Sequence, residues 1–313
     1  MNTFYIIIIF AIVLFLYVHI IYHYKTNSDL EIYEIQDTNK DNFENICNLR
    51  QPVLFCSDFF KPICNNFLIS NLTKNFRHFD LNLRNSSILS TNSQMNQYKS
   101  FLLEDCINII RSNNKVYSEN NSSFLDESCL AKSISQIDQL LRPPNMVYKN
   151  YDLLIGSKCF TPLKYEVAFR TFLMPIEDNI EIKVVPPKYQ SFMDIKKDYE
   201  YFQFLSNDNL WVDTFNKKIK SITFTININQ IIFIPAYWFY SIHFKTPNAV
   251  LLFKYFTLMN IISITPDLSV YLFQQQNIKH KTPCIIKKFD NSIDNENKSL
   301  EKKKTNKIDK NNS

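Results

Sequence analysis

The residues with chemical potential gather in one stretch, Leu154 to Pro187. Within it, Lys164-Tyr165-Glu166 sets an ammonium and a carboxylate two residues apart. Alternate side chains of a strand share a face, so Lys164 and Glu166 point the same way. A His-x-Asp metal pair uses that spacing, but with Lys and Glu in its place the expectation is an ion pair. A second chemical block is Ile231 to Ile242, which carries Trp238 and Tyr240 among Ile, Phe and Tyr. His243 lies three residues past Tyr240 and so faces the other side of a regular strand. His19 and His23 stand at i and i+4, a chelating spacing, yet at the end of an apolar run they read as interfacial groups. Cys159 reads as a small buried residue, and His78 has no pattern around it.

Several local signals say what positions these groups. Thr161-Pro162 opens a strand, because proline fixes φ and pushes its predecessor to extended geometry. Gly156 is the only glycine in 313 residues, which marks a positive φ or a close backbone approach. Ile180 to Val184 and Ile222 to Ile226 alternate as strands. Val250 to Phe256 is a late, largely buried strand, and Ile32 to Ile35 a short early one. Asp41 begins a helical turn. Helices are expected over Pro62–Asn75, Ser100–Arg111 and Ser128–Leu141, the last stopped by Arg142-Pro143-Pro144.

Taken in order, these motifs resemble the core of the JmjC-like cupins, the cupin-like relatives of asparaginyl hydroxylases. That family's pattern is a Gly, a Thr-Pro, His-x-Asp, a Phe-rich strand, a Gly-x-Lys turn and a strand ending in Pro-Pro. A Pro-Gly-Asp turn and a Tyr-Ile-Pro-x-x-Trp-x-His strand follow downstream; the turn falls on Asn227 to Gln230, where Asn is the best non-glycine substitute for a left-handed position. Here the matching residues are Gly156, Thr161-Pro162, Val167 to Leu173, Pro186-Pro187 and Ile234-Pro235-Ala236-Tyr237-Trp238, with Arg50-Gln51-Pro52-Val53 similar to an earlier strand. The resemblance covers residues 30 to about 256. It implies a mainly β fold, a double-stranded β-helix (cupin or jelly-roll) with N-terminal helices. It also implies Fe(II) held by two histidines and an aspartate, with 2-oxoglutarate as co-substrate. The ligand positions fall on Lys164, Glu166 and Tyr240, and the co-substrate lysine position on Asn179. Thr161, Arg170 and Trp238 are pocket candidates. Lys164 has no lone pair to give when charged, and a phenol must lose a proton of pKa ~10 before it binds a metal strongly. The expectation is therefore a degenerate site with no catalytic residue, no metal and no cofactor. The implied role is a binding or scaffolding module with a protein or peptide partner. An active Fe(II)/2-oxoglutarate hydroxylase with atypical ligands and a purely structural membrane protein remain the alternatives.

Phe4 to Tyr22 carries no charge, and roughly 20 apolar residues cross a bilayer core of ~30 Å. With no basic n-region and no small-residue cleavage site, it reads as a single-pass anchor rather than a signal peptide. The division expected is an anchor over 1–25, the cupin-like domain over 30–260, an extension over 261–284 and a disordered Lys/Asn-rich tail over 285–313. The formal charge of +5 concentrates in that tail, which leaves the body balanced and argues against a nucleic-acid surface. Seven cysteines with no Cys-x-x-Cys pair favour free thiols and a cytosolic rather than lumenal domain. The sequons at Asn71 and Asn85 carry almost no weight in so Asn-rich a chain.

Overall fold

A computed structural model describes residues 2–36, 39–56, 61–86, 98–113, 115–211 and 218–277. The chain divides into two compact units, residues 1–198 with 203–264, and residues 199–202 with 265–313. The tail over 285–313 and Cys284 lie outside the described residues.

In the first unit the helices are α1 (Asn2–Tyr24), α2 (Lys40–Cys47), α3 (Lys61–Phe67), α4 (Ile69–Phe76), α5 (Leu103–Ser112), α6 (Ser122–Glu127), α7 (Ser135–Leu141) and α8 (Leu258–Ser263). One sheet runs in the order β1 (Tyr33–Gln36), β2 (Val53–Cys56), β14 (Gln230–Pro235), β9 (Arg170–Pro175), β16 (Asn248–Thr257), β6 (Met146–Gly156), β5 (Val116–Ser118), β3 (Asp80–Asn85) and β4 (Lys99–Leu102). It is antiparallel except for the β1–β2 pair. The second sheet, antiparallel throughout, runs β11 (Ile195–Asp198), β12 (Gln203–Ser206), β8 (Leu163–Tyr165), β15 (Phe239–Phe244), β10 (Ile180–Val185) and β13 (Ile222–Ile226), with β7 (Cys159–Phe160) paired to β15. The protein is thus mainly β, with each sheet an open order of strands.

Period-2 alternation sorts the side chains of the larger sheet between two cores. Leu251, Phe253 and Tyr255 of β16, Leu153 and Ile155 of β6, and Phe172 and Met174 of β9 face one core with the helices. Their neighbours Val250, Leu252, Leu154 and Leu173 join Ile180, Ile182, Val184, Tyr240 and Ile242 in the other, between the sheets. A strand buried on both faces reads as a continuous apolar run, as Val250 to Phe253 does.

The expected helices needed correction. Pro62–Asn75 is broken at Leu68 into α3 and α4. Ser100–Arg111 begins as β4, so Phe101 and Leu102 are exposed while Leu103, Cys106, Ile107 and Ile110 carry the buried face of α5. Ser128–Leu141 divides into a 3₁₀ turn, Leu130–Ile134, and α7, after Cys129 takes a left-handed φ of 59°. Pairing of Asp80–Leu83 with Lys99–Leu102 overrode the helical pattern, a non-local decision. Asn229 does take the left-handed turn position, at φ 69°.

α1 has a mean hydropathy of 2.9 over its most apolar window and no buried residue there, so it is long and apolar enough to cross a bilayer. Its last turn is fixed to the body: Tyr24 Oη donates to the Ser263 carbonyl at 2.6 Å, and His23 Nε2 lies 2.9 Å from Asn260 Nδ2. In the second unit, a helix over 265–277 packs on residues 199–202 through the Phe202 and Tyr271 rings and a 2.5 Å bond from Tyr199 Oη to Asp267.

Gly156 is required by crowding rather than by a positive φ. A Cβ there would sit 2.5 Å from the Phe244 ring, which fills the space between the sheets. Gly156→Ala is therefore expected to cost about 1–3 kcal/mol in urea unfolding, as overpacking does. Phe244→Leu in the same chain should return part of the loss, and an unchanged midpoint in the single variant would refute the contact.

Candidate functional site

Register brings the expected site positions together. Tyr240 of β15 is the direct partner of Lys164 of β8, so both side chains enter the space between the sheets. Glu166 follows β8, and Tyr240 Oη donates to its Oε1 at 3.1 Å. The Lys164 ammonium lies 5.7 Å from the centre of the Tyr240 ring. Lys164, Glu166 and Tyr240 thus converge at one place.

The pairing inside that place differs from the expectation. Lys164 does not pair with Glu166. Its Nζ bonds Glu119 Oε2 at 2.7 Å, and Glu166 Oε2 is held by Lys254 at 2.8 Å. β8 ends at Tyr165, so the strict alternation that would align 164 with 166 stops one residue short. Glu119 also takes Arg84 at 2.9 Å, Tyr98 Oη at 2.7 Å and Tyr117 Oη at 3.0 Å. Arg84 spends a further bond on Gln203 Oε1, at 2.7 Å, and Gln203 Nε2 donates to Tyr98 Oη at 2.7 Å. Asp152, on the inter-sheet face beside Lys254, accepts from the backbone of Asn121 at 2.6 Å and of Asn120 at 2.9 Å. Three cations, Arg84, Lys164 and Lys254, therefore answer three carboxylates, Glu119, Glu166 and Asp152. Glu119 and Tyr240 are fully buried, and Arg84 and Lys164 nearly so.

The electrostatics follow from that arrangement. Burial alone would raise the Glu119 pKa, but the Lys164 and Arg84 charges and the bonds from Lys164 and Tyr98 outweigh it and hold the carboxyl well below the usual range. Burial would lower Lys254, but the charge and hydrogen bond of Glu166 keep it above its ordinary value. Burial, then the charges of Glu166 and Glu119, push the Tyr240 phenol well above its ordinary value. Burial raises Asp152 too, against the opposing backbone donors.

These residues do not fit Fe(II). Lys164 is an ammonium at the position the resemblance assigns to an imidazole, Tyr240 holds its proton more tightly than a free phenol, and Glu166 is committed to Lys254 and Tyr240. Among the described residues, no group of three His, Cys, Asp or Glu side chains is placed to hold a metal.

The other candidates lie apart. Asn179 is exposed in the turn between β9 and β10, its N–H bonded to Asp178 Oδ1 at 2.7 Å. Arg170 belongs to the opposite face of β9, on the helix side, where it pairs with Glu44 of α2. As a pocket residue beside Lys164 it is corrected by the parity of the strand: Arg170, Phe172 and Met174 share the face that Leu173 does not. Thr161 is structural, its Oγ1 accepting the Ile242 N–H at 2.9 Å and its carbonyl the Ser241 hydroxyl at 2.6 Å. Trp238 is fully buried in the inter-sheet core. His243 is half-buried on the outer face, 3.3 Å from Glu181 Oε2, and His78 accepts from Arg77 at 2.9 Å. A surface hollow of about 920 Å³ is lined by Cys64, Leu68, Ile69, Arg111 and Glu177, away from the cluster residues.

The sequence reading missed Arg84, Glu119, Asp152 and Lys254. Lys254 and Asp152 did leave a signal, each a lone charge in an apolar run. Glu119 left none, because it sits in the polar run Ser118 to Ser123. No protein-family model matches the chain, and no curated protein matches it.

The pairing predicts a specific coupling. Lys164→Ala is expected to cost about 3–5 kcal/mol, since Glu119 loses one of its two cations in a buried setting. In double-mutant cycles read by urea unfolding, the Lys164–Glu119 coupling should exceed the Lys164–Glu166 coupling; the reverse order would refute the assignment. The folded pKa of Glu119 is depressed, so its contribution is fully present above the ordinary carboxylate value and is lost as pH falls through the folded value. The Lys164–Glu119 coupling should accordingly fade in acid.

Proposed function

We propose that the chain is a membrane-anchored, JmjC-like cupin-fold protein that works as a non-catalytic binding or scaffolding module. The observation that carries this reading is the convergence of Lys164, Glu166 and Tyr240. The positions that the resemblance assigns to three metal ligands meet in space, and a closed, charge-balanced cluster fills them.

The connectivity supports the fold part of the proposal. Taken in chain order, β6, β8, β9, β10, β13, β14, β15 and β16 are eight strands. The first, eighth, third and sixth are neighbours in one sheet; the second, seventh, fourth and fifth are neighbours in the other. That order supports reading the two sheets as a double-stranded β-helix, the jelly-roll plan of cupins, with β7, β11 and β12 outside the eight. The apolar, exposed surface of α1 supports the anchor, because such a surface is costly in water and favourable in lipid. Cys47, Cys106, Cys129 and Cys159 are free thiols, which favours a reducing compartment and a cytosolic domain.

Function follows from a site and not from a fold. An ammonium–carboxylate cluster with its donors and acceptors answered offers no open coordination position, so the surface of the domain rather than its centre is left to recognise a protein or peptide. The test uses full-length protein from carbonate-washed membranes. The protein should remain in the washed fraction, carry no stoichiometric iron after loading with Fe(II), and leave 2-oxoglutarate unconsumed. Iron retention with 2-oxoglutarate decarboxylation that disappears in Glu166→Ala would overturn the non-catalytic reading. Loss from the washed membranes would overturn the anchor alone.

A further inference from the structure

The last turn of α1 meets the body around a small enclosed cavity. His23 and Lys25 line it from the helix end, Asn48 and Arg50 from the turn after α2, and Arg170 and Pro235 from the larger sheet. Its volume of about 10 Å³ is near the least space that holds one water-sized group.

Two buried guanidinium nitrogens at this cavity lack partners. Arg170 is only 1% exposed; one of its nitrogens pairs with Glu44, and Nη1 is bonded to nothing. Arg50 donates Nη1 to the His23 carbonyl at 2.7 Å and to the Lys25 carbonyl, and its Nη2 is likewise buried without a partner. A buried donor left unanswered is costly, more so on a charged group, so such atoms mark a place for an acceptor. Charge points to which acceptor. Glu44 answers the Arg170 guanidinium and is shared with Lys40. Among the described residues, neither Arg50 nor Lys25 has a carboxylate in ion-pair contact. The His23 carbonyl of α1 and the Lys25 carbonyl just past its end lie at the negative end of the helix dipole, and Arg50 Nη1 already covers both.

We propose that this cavity is a phosphate-binding site. One phosphate oxygen enters between Arg50 and Arg170, and the remaining oxygens stay at the mouth near Lys25. Forked guanidinium donors match an oxyanion, and charge-assisted bonds of this kind are the strong ones. The phosphate is either a free ion or the headgroup of a lipid beside α1. The second source rests on the anchor reading, whereas the site itself does not.

The experiment takes the full-length chain in maltoside micelles, which carry no phosphate. Inorganic phosphate, titrated against chloride at equal ionic strength, should raise the thermal midpoint. Arg50→Gln should weaken the apparent affinity about tenfold, the worth of one charge-assisted bond. Lys25→Gln, at an exposed position that does not disturb the packing, should weaken it less and keeps the test open if the Arg50 variant fails to fold. In a second arm, the same micelles are compared with micelles doped with phosphatidic acid. A shift with inorganic phosphate that the variants lose assigns a free phosphate. A shift confined to the micelles with phosphatidic acid, and lost in the same variants, assigns the lipid headgroup. If phosphate matches chloride and the doped micelles match the plain ones, or if the variants keep the shift, the proposal is wrong.

Discussion

A carboxylate with no solvent contact, Glu119, is the constraint on which the centre of this fold depends. An ion taken from water into a protein interior costs several kcal/mol after relaxation, so a position like this persists only when partners surround it. Arg84 and Lys164 supply charge, and Tyr98 and Tyr117 supply hydrogen bonds. Those partners come from β3, β8, β5 and the residue before β4, so one side chain ties together segments from both sheets. Breaking any one of these contacts leaves a charge or a donor stranded, which makes the arrangement specific even where it adds little net stability.

The second half of the cluster repeats the logic with a different balance. Glu166 is answered by Lys254 and Tyr240, and Asp152 by the backbone of Asn120 and Asn121 with Lys254 nearby. Equal numbers of cations and carboxylates keep the space neutral without a metal ion. An ion of charge +2 would have to displace Lys164 or Lys254 from the carboxylates they hold.

Away from the centre, the junction of α1 with the body follows another principle. Arg50 sits at a left-handed φ of 57° and turns its guanidinium to the end of α1, stacking over the Tyr22 ring with 4.5 Å between them. Tyr24 and Tyr237 stack beside it. A helix that ends in this way, with its final carbonyls held by side chains of the domain, is a stiff attachment and not a tether. The free thiols of Cys47, Cys106 and Cys159 are each buried and raised, the first two to about 12 and the third to about 11, so they behave as packing groups rather than reactive ones.

Local chemistry in the sequence was enough for the features that depend on neighbours along the chain. The alternation of Ile180–Val184 and Ile222–Ile226 and the apolar span of α1 are of this kind. Gly156 was marked by its type, but the Phe244 ring that requires it comes from a distant strand. The convergence of positions 164, 166 and 240 was legible only through a resemblance. Tertiary structure decided the partners. Glu119 lies 45 residues from Lys164 in sequence, and no local pattern marks a carboxylate that a distant sheet will bury. Strand pairing likewise turned Ser100–Leu102 from helix to strand, and the parity of β9 sent Arg170 to the opposite face from Leu173. Which charges meet depends on sheet register, and register is fixed by packing across the whole domain rather than by the residues on either side.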